Sequence, residues 1–408
     1  MGKWIVALLM LVLASQAGGV VLEFDDPLAE RQWYHGRMRF GEAWGHIYEQ
    51  PRRGQITVAV LDSGFQADHM DLRRNLLGGI NIVDGTSNIA SVHPHGTGTA
   101  GIPGASSGNH NGISQSAWMA NVLPVRITNR PDAAAYVSDI AAGIRFATDS
   151  GARVINISYG GAGHKVIAVA AKYAYKRGAL VFMAAGNNGL PNRWKNYKQI
   201  VAVGSIDETD RRSDFSTYGR FIDFVAPGEN VTTLYTEDGT AEWNGTSFSS
   251  PIAASVAALM LTANPELSSK QVLKILKKTA DPLGEGLSRR HRRREYGYGL
   301  PDALAAIEMS LATKGRLRRK LKRSGIDPWV TNDINDFSGL LNDAMASGLT
   351  EALGIPAALS ALVEPQGFVT YAEPGSPAAV PEPGVLTVLI VALLVMLRRS
   401  RRAAITAG

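Results

Sequence analysis

Asn244-Gly245-Thr246-Ser247-Phe248-Ser249-Ser250-Pro251 leads directly into an apolar run, residues 252–261. Small and hydroxyl residues followed by an uncharged run are typical of a buried helix. A serine at the start of such a helix lies beside the unpaired backbone N–H groups of the helix N-terminus. Ser247 is therefore a candidate nucleophile. The pattern equally fits an ordinary helix start, with Thr or Ser as the N-cap and Pro in the first turn.

Composition sets broad limits on what surrounds this segment. The chain has 408 residues, 45% hydrophobic and 19% charged, which is enough for one large core with appendages. Its formal charge of +6 is concentrated in the basic runs 289–323 and 398–402, which argues against a nucleic-acid-binding core. The absence of cysteine excludes disulfides, thiol catalysis and cysteine-ligated zinc.

The N-terminus has the pattern of an export signal. A short positive start, residues 1–3, precedes an apolar run, 4–14, and then Ser15-Gln16-Ala17, a small-x-small cleavage site. We expect residues 1–17 to be a secretory signal peptide removed by signal peptidase. The catalytic part should therefore be exported.

Strand-like and helix-like segments then alternate. We expect strands at 56–61, 122–127, 153–158, 180–185, 200–203 and 221–225, and helices at 133–149, 165–177, 268–279 and 301–310, besides the one that starts near Ser247. Residues 289–294 read as a surface loop. This alternation predicts a three-layer α/β fold, a mostly parallel sheet flanked by helices on both faces.

Three polar residues stand out along this alternation. Asp62 ends the first strand, where α/β folds place their sites, although a loop cap fits it equally well. His95 is followed by small residues, 96–101, which would let a backbone or helix pack closely behind its ring. Asn187 follows the strand 180–185 in a segment that could also be a plain turn.

Five segments together resemble the subtilisin-like serine proteases. They are Val60-Leu61-Asp62-Ser63-Gly64, His95-Gly96-Thr97 with Ala100-Gly101, Ala184-Ala185-Gly186-Asn187, Val225-Ala226-Pro227-Gly228, and Asn244 to Ser247 with Pro251. Their chain order, Asp then His then Asn then Ser, is the one known from subtilisin. The resemblance covers roughly residues 26–310 and implies a serine-type endopeptidase with a subtilisin-like fold.

The resemblance also implies the role of each residue. Ser247 would form the acyl-enzyme, His95 would accept its proton, and Asp62 would orient the imidazole. The side-chain amide of Asn187 and the backbone N–H of Ser247 would stabilise the oxyanion. No cofactor is needed for this chemistry.

Substrate-binding residues are implied in the same way. The segment Ser158, Tyr159, Gly160 and Gly161 would pair with an extended polypeptide substrate like an added strand. Together with Ala184, Ala185 and Gly186 it would wall a specificity pocket. The small residues leave room for a large apolar side chain, unless Tyr159 or nearby loops fill the space.

Two departures from the family pattern leave alternatives open. Only residues 18–25 lie between the signal peptide and the domain, where relatives commonly carry a propeptide. Phe248-Ser249 stands where Met-Ala is more common. These departures keep a second class in view, a catalytically inactive binding protein on the same scaffold at the cell surface.

The loop 104–113 falls near a calcium loop of relatives. It offers amide and backbone oxygens that suit a hard cation, but it contains no carboxylate. The loop residues therefore allow a structural calcium ion but do not identify the metal.

Beyond the expected peptidase domain, residues 18–312, the composition changes. A basic and then amphipathic helical extension, 313–363, is followed by a Pro/Gly-rich linker, 364–384, and by a short apolar segment with an arginine cluster, 385–402. Val380-Pro381-Glu382-Pro383-Gly384 with the segment after it resembles a PEP-CTERM sorting tail. The resemblance implies transient tethering in the inner membrane through residues 385–397 and cleavage by an exosortase-like enzyme, and a simple C-terminal anchor is the alternative. The protein should then reside in the cell envelope or outside the cell.

Overall fold

The computed structural model describes residues 20–50 and 54–317 and the backbone of residues 368–369. The predicted signal peptide, nearly all of the predicted helical extension and linker, and the predicted sorting tail lie outside the described residues.

The strands of the described chain form one large sheet and several small pairs. In chain order they are β1 (Thr57–Asp62), β2 (Ile80–Asn81), β3 (Asn121–Arg126), β4 (Ala135–Tyr136), β5 (Val154–Ile157), β6 (Leu180–Ala184), β7 (Pro191–Asn192), β8 (Ile200–Ile206), β9 (Tyr218–Gly219), β10 (Phe224–Pro227), β11 (Val231–Leu234), β12 (Thr240–Trp243) and β13 (Phe368–Val369). The large sheet has the order β10-β8-β6-β5-β1-β3-β2, and each of its pairs is parallel. Beside it lie the antiparallel pairs β11–β12 and β4–β13 and the parallel pair β7–β9.

The helices cover both faces of the large sheet. In chain order they are α1 (Trp33–Arg37), α2 (Phe40–Tyr48), α3 (His95–Gly104), α4 (Val137–Asp149), α5 (Lys165–Arg177), α6 (Thr246–Ala263), α7 (Ser269–Thr279), α8 (Arg289–Glu295) and α9 (Ala303–Leu311), with a 3-10 turn at Ala29–Arg31.

The sheet is buried on both sides because successive side chains of a strand point to opposite faces. In β1, Val58 and Val60 belong to the apolar cluster that contains α3, α6 and α9, whereas Ala59 and Leu61 belong to the cluster that contains α4 and α5. The predicted three-layer α/β arrangement with a parallel sheet is therefore confirmed.

Helix α6 is the central element of the first cluster. It is the one helix in the described part of the chain that is long and apolar enough to cross a membrane. All of its residues are nevertheless buried inside the domain. It is therefore a core helix of the domain.

Two local predictions differ most from the structure, beside smaller shifts such as the strand expected at 221–225, which is β10 at Phe224–Pro227. The helix expected from residue 133 begins at Val137, because residues 128–134 form a loop in which the Thr128 hydroxyl donates to the Ala134 carbonyl. The loop expected at 289–294 is wrong, since these residues form the exposed helix α8. Arginine is a good helix former, and the Ser288 side chain caps the helix by accepting a hydrogen bond from the His291 N–H.

Candidate active site

Asp62 and His95 form a buried pair at the carboxyl edge of the sheet. Asp62 is the last residue of β1 and His95 the first residue of α3. The distance between His95 Nδ1 and Asp62 Oδ1 is 2.8 Å, and both side chains are completely buried. The helix start can approach the strand end this closely because residue 96 is glycine: a Cβ there would lie 2.1 Å from the Gly64 carbonyl oxygen.

The Asp62 carboxylate has further donors that hold it in place. The Ser63 backbone N–H donates to Oδ1 at 2.7 Å, and the Thr99 hydroxyl donates to Oδ2 at 3.1 Å. Both oxygens are therefore bonded, and the charge is stabilised without water.

Ser247 is held against the end of β5 by a reciprocal pair of hydrogen bonds. Its hydroxyl donates to the Ser158 carbonyl at 3.1 Å, and the Ser158 hydroxyl donates to the Ser247 carbonyl at 2.6 Å. Ser247 is the second residue of α6 and is 3% exposed. These bonds fix the start of the helix at the same sheet edge as Asp62, because β1 and β5 are neighbours.

The His95 ring extends toward the Ser247 helix through aromatic contacts. Its centroid lies 5.7 Å from that of Phe248, the residue after Ser247, and 6.4 Å from that of Trp243. The structure therefore brings the Asp62–His95 pair and the start of α6 into one desolvated cluster. In this arrangement the Ser247 hydroxyl proton is directed at the Ser158 carbonyl.

Asn187 lies beside the same helix start with its side chain oriented by Thr246. Its Oδ1 accepts from the Thr246 backbone N–H at 3.0 Å and from the Thr246 hydroxyl at 2.8 Å. Its Nδ2 and the Ser247 backbone nitrogen lie 3.3 and 3.7 Å from the point where a Cβ of Gly245 would be. Two N–H donors therefore converge beside Ser247. Gly245 has φ +150° and ψ 151°, a conformation that is essentially restricted to glycine.

The two segments expected to bind substrate lie side by side. Ser158 follows β5 and Ala184 ends β6, and these strands pair in register up to Ile157 and Met183. Along the segments, Gly160, Gly161 and Gly186 are partly exposed, whereas Ser158, Ala184 and Ala185 are buried.

The side chain of Tyr159, which the sequence left as a possible filler of the pocket, turns away into the core. Its side chain is completely buried, and its hydroxyl donates to the Ala133 carbonyl at 2.8 Å. A substrate would therefore meet the backbone of Tyr159.

Comparison with known proteins agrees with this geometry. A family model described as the subtilase family matches residues 53–299. The chain belongs to the subtilase family. Thermitase of Thermoactinomyces vulgaris is 34% identical over 263 residues, which are 64% of this chain and 92% of the relative. Subtilisin DY of Bacillus licheniformis is 34% identical over 260 residues, 62% of this chain and 91% of the relative.

A solved structure supports the same conclusion. A protease from Pseudoalteromonas arctica PAMC 21717 has a TM-score of 0.61 and 27% sequence identity, covering 70% of this chain and 99% of the other. The enzyme class expected from the sequence, a serine-type endopeptidase, is thereby confirmed, as is the subtilisin-like form of the fold. The named relatives are proteases and give no support to the alternative of an inactive binding protein.

Sequence reasoning missed several buried polar residues of this subtilase site. Asn156 of β5 donates to the Ser158 hydroxyl at 2.9 Å and accepts from the Ser250 hydroxyl at 2.7 Å, so it ties the strand to the second turn of α6. An asparagine inside the apolar strand Val154–Ile157 was the available signal. Thr99 had a signal as well, because it lies one turn after His95 on the same face of α3.

The loop at 104–113 receives two carboxylates from distant parts of the chain. Asp26 accepts from the backbone N–H groups of Gly108 and Asn109, each at 3.0 Å. Asp71 accepts from the Asn109 side-chain amide at 2.8 Å and from the Ile113 N–H at 2.9 Å. The acids that the loop lacks in sequence are therefore supplied by the fold.

Burial disfavours the charged form of both carboxylates that contact this loop. Burial raises the pKa of Asp71 to about 7, opposed by its hydrogen bonds and increased by the nearby charge of Asp26. Burial likewise raises the pKa of Asp26. Within residues 20–50 and 54–317, no group of three or more His, Cys, Asp or Glu side chains is arranged for a metal. In the structure both carboxylates accept hydrogen bonds from N–H groups of this loop.

Proposed function

We propose that this subtilase hydrolyses peptide bonds through an acyl-enzyme formed on Ser247, with His95 as general base and Asp62 as its orienting partner. The observation that carries the proposal is the 2.8 Å bond between His95 Nδ1 and Asp62 Oδ1. A carboxylate can only accept this bond, so Nδ1 carries the proton and Nε2 has the lone pair that a general base needs.

In the first half of the reaction, the Ser247 proton turns from the Ser158 carbonyl to His95 Nε2 as Oγ attacks the substrate carbonyl carbon. The imidazolium formed is stabilised by Asp62, whose oxygens are already held by Ser63 and Thr99. His95 then gives the proton to the leaving amine. Water next attacks the acyl carbon while His95 takes its proton, and His95 returns that proton to Ser247 Oγ as the carboxylic acid product leaves.

The oxyanion of each tetrahedral intermediate would be held by Asn187 Nδ2 and the Ser247 N–H. The convergence of both donors near Gly245 supports this role. Because Thr246 occupies Asn187 Oδ1 with two hydrogen bonds, the amide cannot flip without losing both. Donors fixed before the charge develops stabilise the transition state without a reorganisation cost.

The substrate would be an extended polypeptide lying along residues 158–161. Strand-like pairing uses backbone groups, so the buried side chain of Tyr159 does not obstruct it. The small residues Ala184, Ala185 and Gly186 beside this segment favour a large apolar side chain before the cleaved bond.

A calcium ion at the 104–113 loop is part of the proposal as a structural element. Asp26, Asp71 and Asn109 would supply oxygen ligands, and the ion would neutralise two acids whose pKa values are raised by burial. It would stabilise the fold and take no part in catalysis.

The proposal also includes export and sorting. Residues 1–17 would direct secretion, and residues 385–402 would hold the chain at the inner membrane until an exosortase-like enzyme cleaves near Pro381. Mass spectrometry of both mature termini tests this part, because retention of either segment in the mature protein contradicts it.

The catalytic proposal is tested with a fluorophosphonate probe and casein. Wild-type protein should be labelled and should hydrolyse casein, and Ser247→Ala should abolish labelling and reduce kcat by about 10⁶-fold, a figure known from a subtilisin. Ser249→Ala is the matched control: Ser249 is buried two residues along α6, and its hydroxyl has no hydrogen-bond partner among the described residues. An unlabelled wild type, or loss of labelling in the control alone, would contradict the assignment.

A further inference from the structure

Helices α7 and α8 concentrate positive charge on one part of the described domain. Together they contain nine lysine or arginine residues and a single acid, Glu295. Most of these cations are exposed to solvent. The fully exposed ones define what is called here the basic surface: Lys270, Lys274, Lys278, Arg289, Arg290 and Arg292.

The lysines of α7 form a stripe along one side of the helix. Lys270, Lys274 and Lys278 are spaced by four residues, so each lies about one turn beyond the last. The residues that α7 buries in the domain lie on the opposite side: Ser269, Val272, Ile275 and Leu276. Burial of that side directs the three lysines outward.

Helix α8 meets α7 at the ring of Tyr298. The centroid of this ring lies 4.2 Å from Cζ of Arg293, on α8, and 4.5 Å from Nζ of Lys277, on α7. Tyr298 is itself 38% exposed. The cations of both helices therefore belong to one continuous surface.

Nearby acids leave the charge of this surface uncompensated. The carboxylate of Glu295 lies 3.6 Å from Nε of Arg212, and the buried carboxylate of Asp223 lies 3.8 Å from Nζ of Lys277. Between described residues, no ion pair involves any of the six cations of the basic surface. A surface of this kind attracts a partner that carries many negative charges.

Apolar side chains at both ends of α8 favour a lipid bilayer as that partner. Leu287, just before the helix, is 39% exposed, and Tyr298, just after it, is 38% exposed. Arginines bind lipid headgroups, while leucine and tyrosine side chains enter the boundary between headgroups and acyl chains. A soluble polyanion offers no such apolar layer.

The basic surface lies at the opposite edge of the sheet from the candidate active site. Arg153, which directly precedes β5, donates to the Leu267 carbonyl at 2.7 Å, two residues before α7. At the other end of α7, Lys277 lies near Asp223, which directly precedes β10. Both contacts are at the amino edge, whereas Asp62 ends β1 at the carboxyl edge. A domain docked through the basic surface would therefore keep its active site open to polypeptides in solution.

The described domain also ends beside this surface. The Gln271 side-chain amide, in the first turn of α7, donates to the Lys314 carbonyl at 2.8 Å. The predicted membrane segment, residues 385–397, follows later in the chain. In sequence, the residues directly after Leu317 add further cations: Arg318, Arg319, Lys320, Lys322 and Arg323.

We propose that the basic surface docks the folded domain onto an anionic lipid bilayer. This contact is made by the domain itself and is separate from the tethering proposed for residues 385–402. Each lysine or arginine near an anionic bilayer strengthens binding by about fivefold. The attraction is screened by salt, because the charges face solvent.

Sedimentation with lipid vesicles tests the proposal. The full chain carries Ser247→Ala, which prevents autolysis, and the vesicles consist of phosphatidylcholine with or without phosphatidylglycerol. Binding should be about 10²-fold or more tighter to the vesicles with phosphatidylglycerol at low salt, and should weaken as salt is added. Equal binding to both kinds of vesicle would assign the contact to an apolar segment and overturn the proposal.

Two variants with the same change in net charge test the location of the contact. One changes the exposed lysines of α7: Lys270→Gln, Lys274→Gln and Lys278→Gln. The control changes exposed lysines of α5, on the other face of the sheet: Lys165→Gln, Lys172→Gln and Lys176→Gln. The α7 variant should bind phosphatidylglycerol vesicles about 10²-fold more weakly, and the α5 variant should stay within about threefold of the parent. Thermal unfolding checks that both remain folded. Equal losses in the two variants would mean that net charge alone governs binding, and would refute the basic surface.

A further pair of variants distinguishes a bilayer from a soluble polyanion. Leu287→Ser should weaken vesicle binding by about threefold, because a partly exposed leucine no longer enters the lipid, and should leave binding to dextran sulfate unchanged. Val169→Ser, at a 53% exposed position of α5, is the control and should change neither. Binding to dextran sulfate without binding to phosphatidylglycerol vesicles would overturn the assignment to lipid.

Discussion

The carboxylates of Asp62 and Asp71 are both completely buried, only nine positions apart in the chain, and yet their surroundings differ. Both carboxylates have a donor on each oxygen, but Asp62 also faces the His95 imidazole. Asp71 shares its loop with a second acid, Asp26, and burial raises its pKa to about 7. A buried acid whose charge is stabilised by fixed neighbours can orient a base. A buried acid whose pKa is raised by burial is stabilised by a proton or by a bound cation.

After the loss expected for Ser247→Ala, the largest effect sharpens the catalytic side of this comparison. Asn187→Ala should lower kcat by about 10²- to 10³-fold with little change in KM, because it removes one donor to the oxyanion; the figure was measured on a subtilisin. Asn188→Ala changes the adjacent, exposed asparagine and should stay near wild type. Steady-state kinetics on a peptide substrate measures both. A change in KM alone would assign Asn187 to substrate binding and not to the transition state.

Calcium provides the next test, on the side of Asp71. Without calcium, ionised Asp71 destabilises the fold as the pH rises from about 4 to 7, since its folded pKa lies above the unfolded value of about 3.9. Calcium at one hundred times its Kd should add about 2.7 kcal/mol to the free energy of unfolding. Thermal unfolding of Ser247→Ala protein, which avoids autolysis, measures this with calcium or with a chelator.

The control for calcium comes from the neighbouring position. Asp26→Asn and Asp71→Asn should each remove most of the stabilisation by calcium. Asp25→Asn should keep it, because Asp25 is exposed and pairs with His110 on the surface. Equal unfolding temperatures of the parent protein with calcium and with chelator would remove the ion from the proposal.

The smallest effect concerns His35, which lies with Asp26 in the N-terminal residues 20–50. His35 is bonded to the Ser116 hydroxyl at 2.8 Å and packs among Tyr34, Phe40 and Trp44, and desolvation lowers its pKa to about 3. The contribution of neutral His35 to the free energy of unfolding is fully present above pH 6.5. It is lost as the pH falls toward 3, by at most about 1.4 kcal/mol per pH unit.

Denaturant unfolding at pH 7 and pH 5 measures this dependence. His35→Phe should reduce the loss of stability between these two values, whereas the same change at the exposed His110 should not. An unchanged pH dependence in His35→Phe would mean that other groups cause the acid sensitivity.

Much of the fold was accessible from the sequence because periodicity is a local signal. The apolar pattern of the strand at residues 57–61 and that of the uncharged helix after Ser247 are each visible in one continuous stretch of sequence. The α4 start and helix α8 were misplaced for the same reason: a loop hydrogen bond from Thr128 and a cap from Ser288 decided them, and neither changes the periodicity.

The candidate site was accessible in part. Asp62, His95, Asn187 and Ser247 could be named because each follows or begins an element in a recognisable motif. Asn156, Thr99 and Thr246 could not, because their importance lies in contacts with residues distant in the chain. The resting direction of the Ser247 proton toward Ser158 was equally beyond local reasoning.

By itself, the sequence determined the layered α/β architecture, the family and the short set of polar residues on which the chemistry is proposed to depend, since these follow from residue types and spacing. Only the tertiary structure decided that Tyr159 is buried, that Asp26 and Asp71 meet one loop, and that β13 pairs with β4. Each of these depends on which surfaces come together when the sheet closes around α6, and such long-range contacts leave no periodic signal in the chain.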